Sequence, residues 1–180
     1  MRIKVGVMGS AADIEQAQRA ELAGKLTELA TALAAYDLVL LTGATTGLIR
    51  EAGKAARTAG VFHVGISPAS SEAEHISRFQ LPIDACDVLV FTGFGLKGRN
   101  VVLVRSCDIV LFVAGAMGSL NEFTIAHDEG KVIGCLTGTG GVADEVDYLL
   151  RQFSKKTGAK VFQNENPRAL LADCIDGLSQ

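Results

Sequence analysis

Short apolar runs alternate with longer stretches of helical periodicity from one end of the chain to the other, and this constrains the fold more than any other feature. The runs at 3–8, 37–43, 61–67, 87–93, 108–113 and 132–138, with a shorter one at 160–163, read as strands. Between the first two, Ile14, Ala17, Leu22, Leu26, Leu29, Ala30 and Leu33 recur every three or four residues, which predicts a long helix over 13–36. Further helices are predicted over 45–60, stopped by Gly60, and over 98–106, 118–129 and 142–155, with a last one after Pro167. The segment 68–83 holds Pro68 and Pro82 and little periodicity, so it reads as a loop or a short helix. Strict strand–helix alternation implies parallel strands, because each return crossover needs a helix's length of chain. The strands are apolar throughout instead of alternating, as expected when helices cover both faces of a sheet. The predicted fold is an α/β, Rossmann-like three-layer sandwich with a mainly parallel sheet of about six or seven strands, forming one domain over 1–180. In such sheets ligands bind outside the carboxyl ends of the strands, where the strand order reverses.

The chain has 180 residues, 48% of them apolar, enough for one sizeable core. Its formal charge is −3 and Lys and Arg are dispersed, which argues against a duplex nucleic acid partner. No apolar run approaches the ~18 residues of a membrane span, and the glycine-bearing start MRIKVGVMGSA does not resemble a secretory signal. A soluble, cytoplasmic protein is expected. Cys86, Cys107, Cys135 and Cys174 are scattered and lack a CxxC pair, so they read as buried thiols and not as zinc ligands.

Three strand-to-helix loops carry glycine: MGSA with Gly9 and Ser10, TGATTGL with Gly43, Thr45, Thr46 and Gly47, and AGAMGS with Gly115, Ala116, Met117, Gly118 and Ser119. A glycine after a parallel strand permits a sharp turn and a close ligand, and the following helix offers N–H groups and a positive dipole end. Together the loops predict a cradle for a phosphorylated small molecule, needing neither a metal nor a cofactor. GFGLKG at 93–98 matches the dinucleotide pattern literally, but it follows the fourth strand, and Asp108 opens the next strand instead of closing it. It is expected to be a loop leading into a helix at Gly98. Glu122 is placed in the first turn of a helix, where the dipole favours its ionised form and an ordinary helix-start acid is expected. Arg99 can pair with Glu122 or hold a phosphate, and Asn100 can bind ligand or neighbouring loops. Asp108 is expected to cap backbone N–H groups, and Arg105, His63 and His127 to be structural; His75, in the weakly periodic segment, could enter a lid, but nothing in the sequence supports that. GSLNE lacks the closing glycine of a GxSxG nucleophile elbow, so Ser119 is not read as a nucleophile. The stretch 100–107 is apolar except at Asn100, Arg105 and Ser106, more than one covered face requires. A homodimer or larger homo-oligomer with this helix near the contact is expected.

The run GRNVVLVRSCDIVLFVAGAMGSLNE over 98–122 resembles the Lonely Guy family, once described as lysine decarboxylases. That family has an Arg, an Asp opening a strand, then PGGxGTxxE. Here Arg99, Asp108, Gly115, Gly118 and Glu122 stand in register, while Ala114 replaces the motif's Pro, Ala116 its second Gly and Ser119 its Thr. TGATTGL is similar to the family's GGxxGLM loop, with Ala44 for the second Gly. The resemblance implies a Rossmann-like fold, homo-oligomers, and N-glycosidic cleavage of nucleoside 5′-monophosphates with Glu122 and Arg99 as catalytic residues. If the motif's second Gly needs a positive φ, Ala116 costs on the order of 1 kcal/mol. These departures place the chain nearer a broader nucleotide-binding branch, which includes molybdenum cofactor carrier-like proteins that hold a phosphorylated ligand without turning it over. Two functions are therefore expected: a phosphoribohydrolase, or a non-enzymatic carrier or sensor.

Overall fold

The computed structural model describes residues 1–10, 16–153 and 155–179. Seven strands and seven helices alternate within it. The strands are β1 (Ile3–Gly9), β2 (Leu38–Thr42), β3 (Phe62–Ser67), β4 (Val88–Phe91), β5 (Ile109–Val113), β6 (Val132–Leu136) and β7 (Lys160–Asn164). The helices are α1 (Gln16–Leu33), α2 (Gly47–Thr58), α3 (Glu72–Ser77), α4 (Gly95–Ser106), α5 (Met117–Asp128), α6 (Val142–Phe153) and α7 (Pro167–Leu178). All pairings are parallel, in the order β4-β3-β2-β1-β5-β6-β7. The order runs outward from β1 in one direction through β4, then resumes beside β1 with β5, so the switch point lies between β1 and β5.

Residue alternation along β5 shows how the layers form. Ile109, Leu111 and Val113 join a core on one face with Leu26, Leu29 and Leu33 of α1, Leu48 and Ile49 of α2, and Leu170 and Leu171 of α7. Val110 and Phe112 join a second core with Leu103 and Val104 of α4, Phe123 of α5 and Val146 of α6. Each strand residue thus has a helix to bury against, as the unbroken apolar runs require. The buried stripe of α1, Leu22, Leu26, Leu29, Ala30 and Leu33, follows the expected spacing. The side chains of Ile14 and Ala17, also part of that spacing, lie outside the described residues.

Three expectations need correction. The helix after GFGLKG opens at Gly95, not Gly98, so Leu96 and Lys97 belong to its first turn. Glu122 stands in the second turn of α5, not the first, because that helix opens at Met117 and has no acid in its first turn. His75 is not available to a lid: it is fully buried on α3, with Nδ1 2.8 Å from Ser67 Oγ and Nε2 3.2 Å from the Pro82 carbonyl. His63 repeats the pattern one strand inward, bridging Thr42 Oγ1 (2.8 Å) and the Ala85 carbonyl (2.5 Å), and burial holds its pKa down. Both rings tie a strand end to the segment before β4. Asp108 accepts from the Lys4 backbone N–H at 2.8 Å, and Arg105 pairs at the surface with Glu129. His127 on α5 lies 6.2 Å from the Phe123 ring, between ring centres. All four cysteines are free; Cys107, Cys135 and Cys174 are buried and Cys86 is half-buried, and burial pushes each thiol up to about 12.

Candidate functional site

β1 and β5 end in step, with Gly9 opposite Val113, so the loops leaving them emerge side by side at the switch point. The loop after β2 and the first turns of α4 and α5 close around them. The result is a cleft of about 280 Å³ with apolar walls from Val7, Met8, Ile49 and Leu96. Ten of the residues singled out in the sequence line it: Gly9, Ser10, Gly43, Thr45, Arg99, Asn100, Ala116, Gly118, Ser119 and Glu122. Four others do not. Thr46 and Gly47 form the start of α2, Met117 is largely exposed, and Gly115 lines a neighbouring cleft.

Helix α5 opens directly on the cleft. Its cap residue, Ala116, makes no side-chain cap bond, whereas α3 and α7 are capped by Ser71 and Asn166. First-turn N–H groups have no partner within their own helix, so α5 presents an anion-receiving end. Ala116 has φ −124°, an ordinary extended value, so the expected penalty at this position does not arise. Among the described residues the non-glycine positions with positive φ are Ala114 (φ 54°) and Ala44 (φ 51°) in the glycine-bearing loops, and Gln80 (φ 52°) away from them.

Arg99 and Glu122 project into the cleft from α4 and α5 and are both buried. Their nearest atoms, Nη1 and Oε1, are 3.7 Å apart, a loose ion pair. Arg99 reaches this position only because residue 43 is glycine: a Cβ there would overlap its guanidinium. Arg99 Nε is buried and has no hydrogen-bond partner among the described residues. Leaving a buried cationic donor unsatisfied is costly, and within a cleft the natural remedy is a bound acceptor. Burial raises the Glu122 carboxyl to about 7, against the opposing pull of Arg99 and then Lys97. Asn100, with its amide nitrogen facing them, donates to the Leu96 carbonyl at 3.0 Å and to Glu122 Oε1 at 3.1 Å.

Lys97 was missed in the sequence. Its Nζ lies 4.0 Å from where a Gly118 Cβ would stand, so its charge hangs over the α5 entrance. Starting the helix at Gly95 in the GFGLKG stretch is the signal that would have found it, since Lys97 and Arg99 then share the first turns of one helix. Among the described residues no group of His, Cys, Asp and Glu has metal-binding geometry.

The raised Glu122 pKa has a measurable consequence. Folded protein holds this proton more tightly than unfolded chain, so the stabilisation is complete below about pH 4.5 and is lost as pH rises through about 7. Glu122→Gln carries no such titration. Its Tm relative to wild type is expected to climb between pH 5 and 8, by on the order of 5 °C for about 2 kcal/mol. A flat difference in scanning fluorimetry would mean that Glu122 is ionised throughout.

Several known proteins are similar to this chain. A protein of Archaeoglobus fulgidus described as uncharacterized is 30% identical over 134 residues, covering 74% of this chain and 80% of its own length. The X-ray structure of TM1055 superposes with a TM-score of 0.83 at 25% identity, over 97% of this chain and 99% of that one. The molybdenum cofactor carrier protein of Chlamydomonas reinhardtii gives 0.76 at 22% identity, covering 100% of both chains. DNA processing protein A of Streptococcus pneumoniae gives 0.65 at 22%, over 96% of this chain and 62% of that chain, so the same fold also serves proteins that handle DNA. A sequence profile matches residues 2–171, nearly the whole chain: it is that of the SLOG cluster 4 family, to which this protein belongs.

Proposed function

We propose that the chain binds a phosphorylated, nucleotide-like small molecule in the β1/β5 cleft and acts as its carrier or sensor. The unpartnered Arg99 Nε carries this reading, because it places a buried positive donor in a cleft that also has Lys97 and the uncapped end of α5. The phosphate would lie over Gly118 and Ser119, with Gly9, Ser10, Gly43 and Thr45 completing the surround. The likeness to molybdenum cofactor carrier proteins supports a phosphorylated ligand that is held and handed on, and makes that cofactor one ligand to test beside nucleotides. A second reading, hydrolysis of nucleoside 5′-monophosphates as in the Lonely Guy enzymes, is favoured by Glu122, a buried carboxyl that titrates near neutrality beside Arg99.

The same reading takes 1–180 as one domain working in the cytoplasm. No helix among the described residues is long and apolar enough to cross a membrane. Duplex nucleic acid remains disfavoured by the chain's charge. Exposed Phe94, Leu96 and Val101 on and beside α4 are the surface through which homo-oligomers would form.

Thermal shift tests the binding. Nucleoside 5′-monophosphates or the molybdenum cofactor at about 100 times Kd should stabilise by about 2.7 kcal/mol, and the matching nucleosides far less. Gly118→Val should abolish the shift and leave the unliganded Tm nearly unchanged, since a Cβ at 118 approaches nothing nearer than Lys97 Nζ at 4.0 Å. Equal shifts with nucleosides, or full binding by Gly118→Val, would remove the phosphate from this cleft.

A further inference from the structure

On the other side of the 114–116 loop lies a second cleft of about 570 Å³, between the first described turns of α1 and the loop from β6 to α6. Ser10 and Ala116 line both clefts. The two clefts therefore adjoin at the carboxyl edge of the sheet, one on each side of the switch-point loop. The floor between them is fixed: Val142 and Ala143 N–H donate to the Gly115 and Ala114 carbonyls, both at 3.0 Å. Gly141 packs so closely on the Gly115 carbonyl that no Cβ fits. Thr139 Oγ1 accepts from Ala114 N–H at 2.8 Å and donates to the Leu136 carbonyl at 2.6 Å.

The segment TGTGG at 137–141 looks, as a sequence, like another phosphate loop. Its chemistry is the reverse. The N–H groups of Gly138 and Gly140 both donate to the Asp144 carboxylate at 2.8 Å, and the first two N–H groups of α6 are taken by the carbonyls of 114 and 115. Four of the donors that would receive an anion, on Gly138, Gly140, Val142 and Ala143, are occupied from within. Glu21 of α1 is exposed and faces the same cleft as Asp144. Lys25, one turn further along α1, is engaged by the carbonyls of Thr137 and Gly138, and Glu165 also lies near Gly138. The first cleft is thus electropositive and donor-rich, and the second is electronegative and acceptor-rich.

Resting on the phosphate reading of the first cleft, the geometry points to a two-part ligand. Its phosphate sits over Gly118, and the group attached to that phosphate crosses Ala116 into the second cleft, where hydroxyl or amino groups are accepted and a second anion is rejected. A phosphodiester or pyrophosphate conjugate of a polyhydroxylated or amine-bearing group fits this description; a free monophosphate fills only the first part. A cleft of about 280 Å³ alone is at the small end for a ligand site, whereas the two adjoining clefts together are within the usual range.

Calorimetry with the glucosamine, glucose and glucuronate esters of ADP and of UDP, beside AMP and UMP, tests this. Within each series base and diphosphate are constant and only the charge of the sugar changes. Wild type should bind glucosamine over glucose over glucuronate, by about threefold to tenfold per unit of charge at low salt, and the order should compress as salt rises. Glu21→Lys, an exposed change outside the first cleft, should flatten or invert the order and leave AMP and UMP binding unchanged. If the monophosphates bind but the three esters bind equally, fail to bind, or keep their order in Glu21→Lys, the second cleft does not receive the attached group and the inference falls alone. If neither the monophosphates nor the esters bind, the phosphate reading itself fails and the two-part ligand with it.

Discussion

On the hydrolytic reading, Glu122→Gln is expected to retain the ligand-induced thermal shift while lowering release of free base from a nucleoside monophosphate by on the order of 100-fold or more. The substitution preserves size and place on α5 and removes only the ability to take up or hold a proton, the scale of loss being that of general bases and charge-stabilising groups. Glu122 suits the role because burial holds it near pH 7, where it exchanges its proton most readily, and because Arg99 at 3.7 Å and Asn100 fix it in the cleft. Chromatographic detection of base across a nucleotide panel is the measurement. If wild type binds and releases nothing, the hydrolytic reading is lost and the carrier reading stands. If wild type turns over and Glu122→Gln matches it, the carboxyl is only a buried structural partner of Arg99 and Asn100.

Putting proline at 114, as the Lonely Guy motif has it, is expected to destabilise this protein by about 4 kcal/mol. Proline is locked near φ −65°, and Ala114 sits at φ 54°. Its N–H also donates to Thr139 Oγ1 in a buried hydrogen bond of 2.8 Å, which proline cannot make. A backbone conflict of about 3 kcal/mol with a lost buried bond of about 1 kcal/mol corresponds to a Tm lower by roughly 8–16 °C for a chain of this size. Ala114→Gly, which tolerates the conformation, should change Tm by no more than about 2 °C, with relief of strain set against a lost buried methyl group. A neutral Ala114→Pro would mean that this loop follows the course implied by the motif and that the positive φ is dispensable.

The strands were legible because a parallel sheet covered on both faces leaves its mark at every strand position: Ile109 to Val113 has no polar residue to misplace. Helix α1 was legible because four turns of leucine spacing admit one reading. The start of α4 was not, since two glycines in a row of turns conceal a helix that tertiary packing begins at Gly95, and Lys97 was lost with it. The place of His75 was not legible for a similar reason: its partners, Ser67 and the Pro82 carbonyl, come from separate segments that local pattern cannot bring together. Arg99 and Glu122 could be singled out by spacing, but three facts about them belong only to three dimensions. These are the missing Nε partner, the 3.7 Å separation, and the dependence of the guanidinium's position on Gly43. The concern over Ala116 moved to Ala114 and Ala44, because a motif position does not state its own dihedral angle.

The strand order has a consequence for how the protein is made. β1 is made before the other strands of the sheet and pairs on one side with β2 after about thirty residues, but its other neighbour, β5, begins at Ile109. Until some hundred further residues have been synthesised, the N–H and C=O groups along that edge of β1 have no companion strand, and nascent chains with such an edge are prone to join one another. The half-sheet β1–β4 is therefore the stretch for which chaperone protection during translation is most valuable, and chains truncated before β5 should be found chiefly in aggregates.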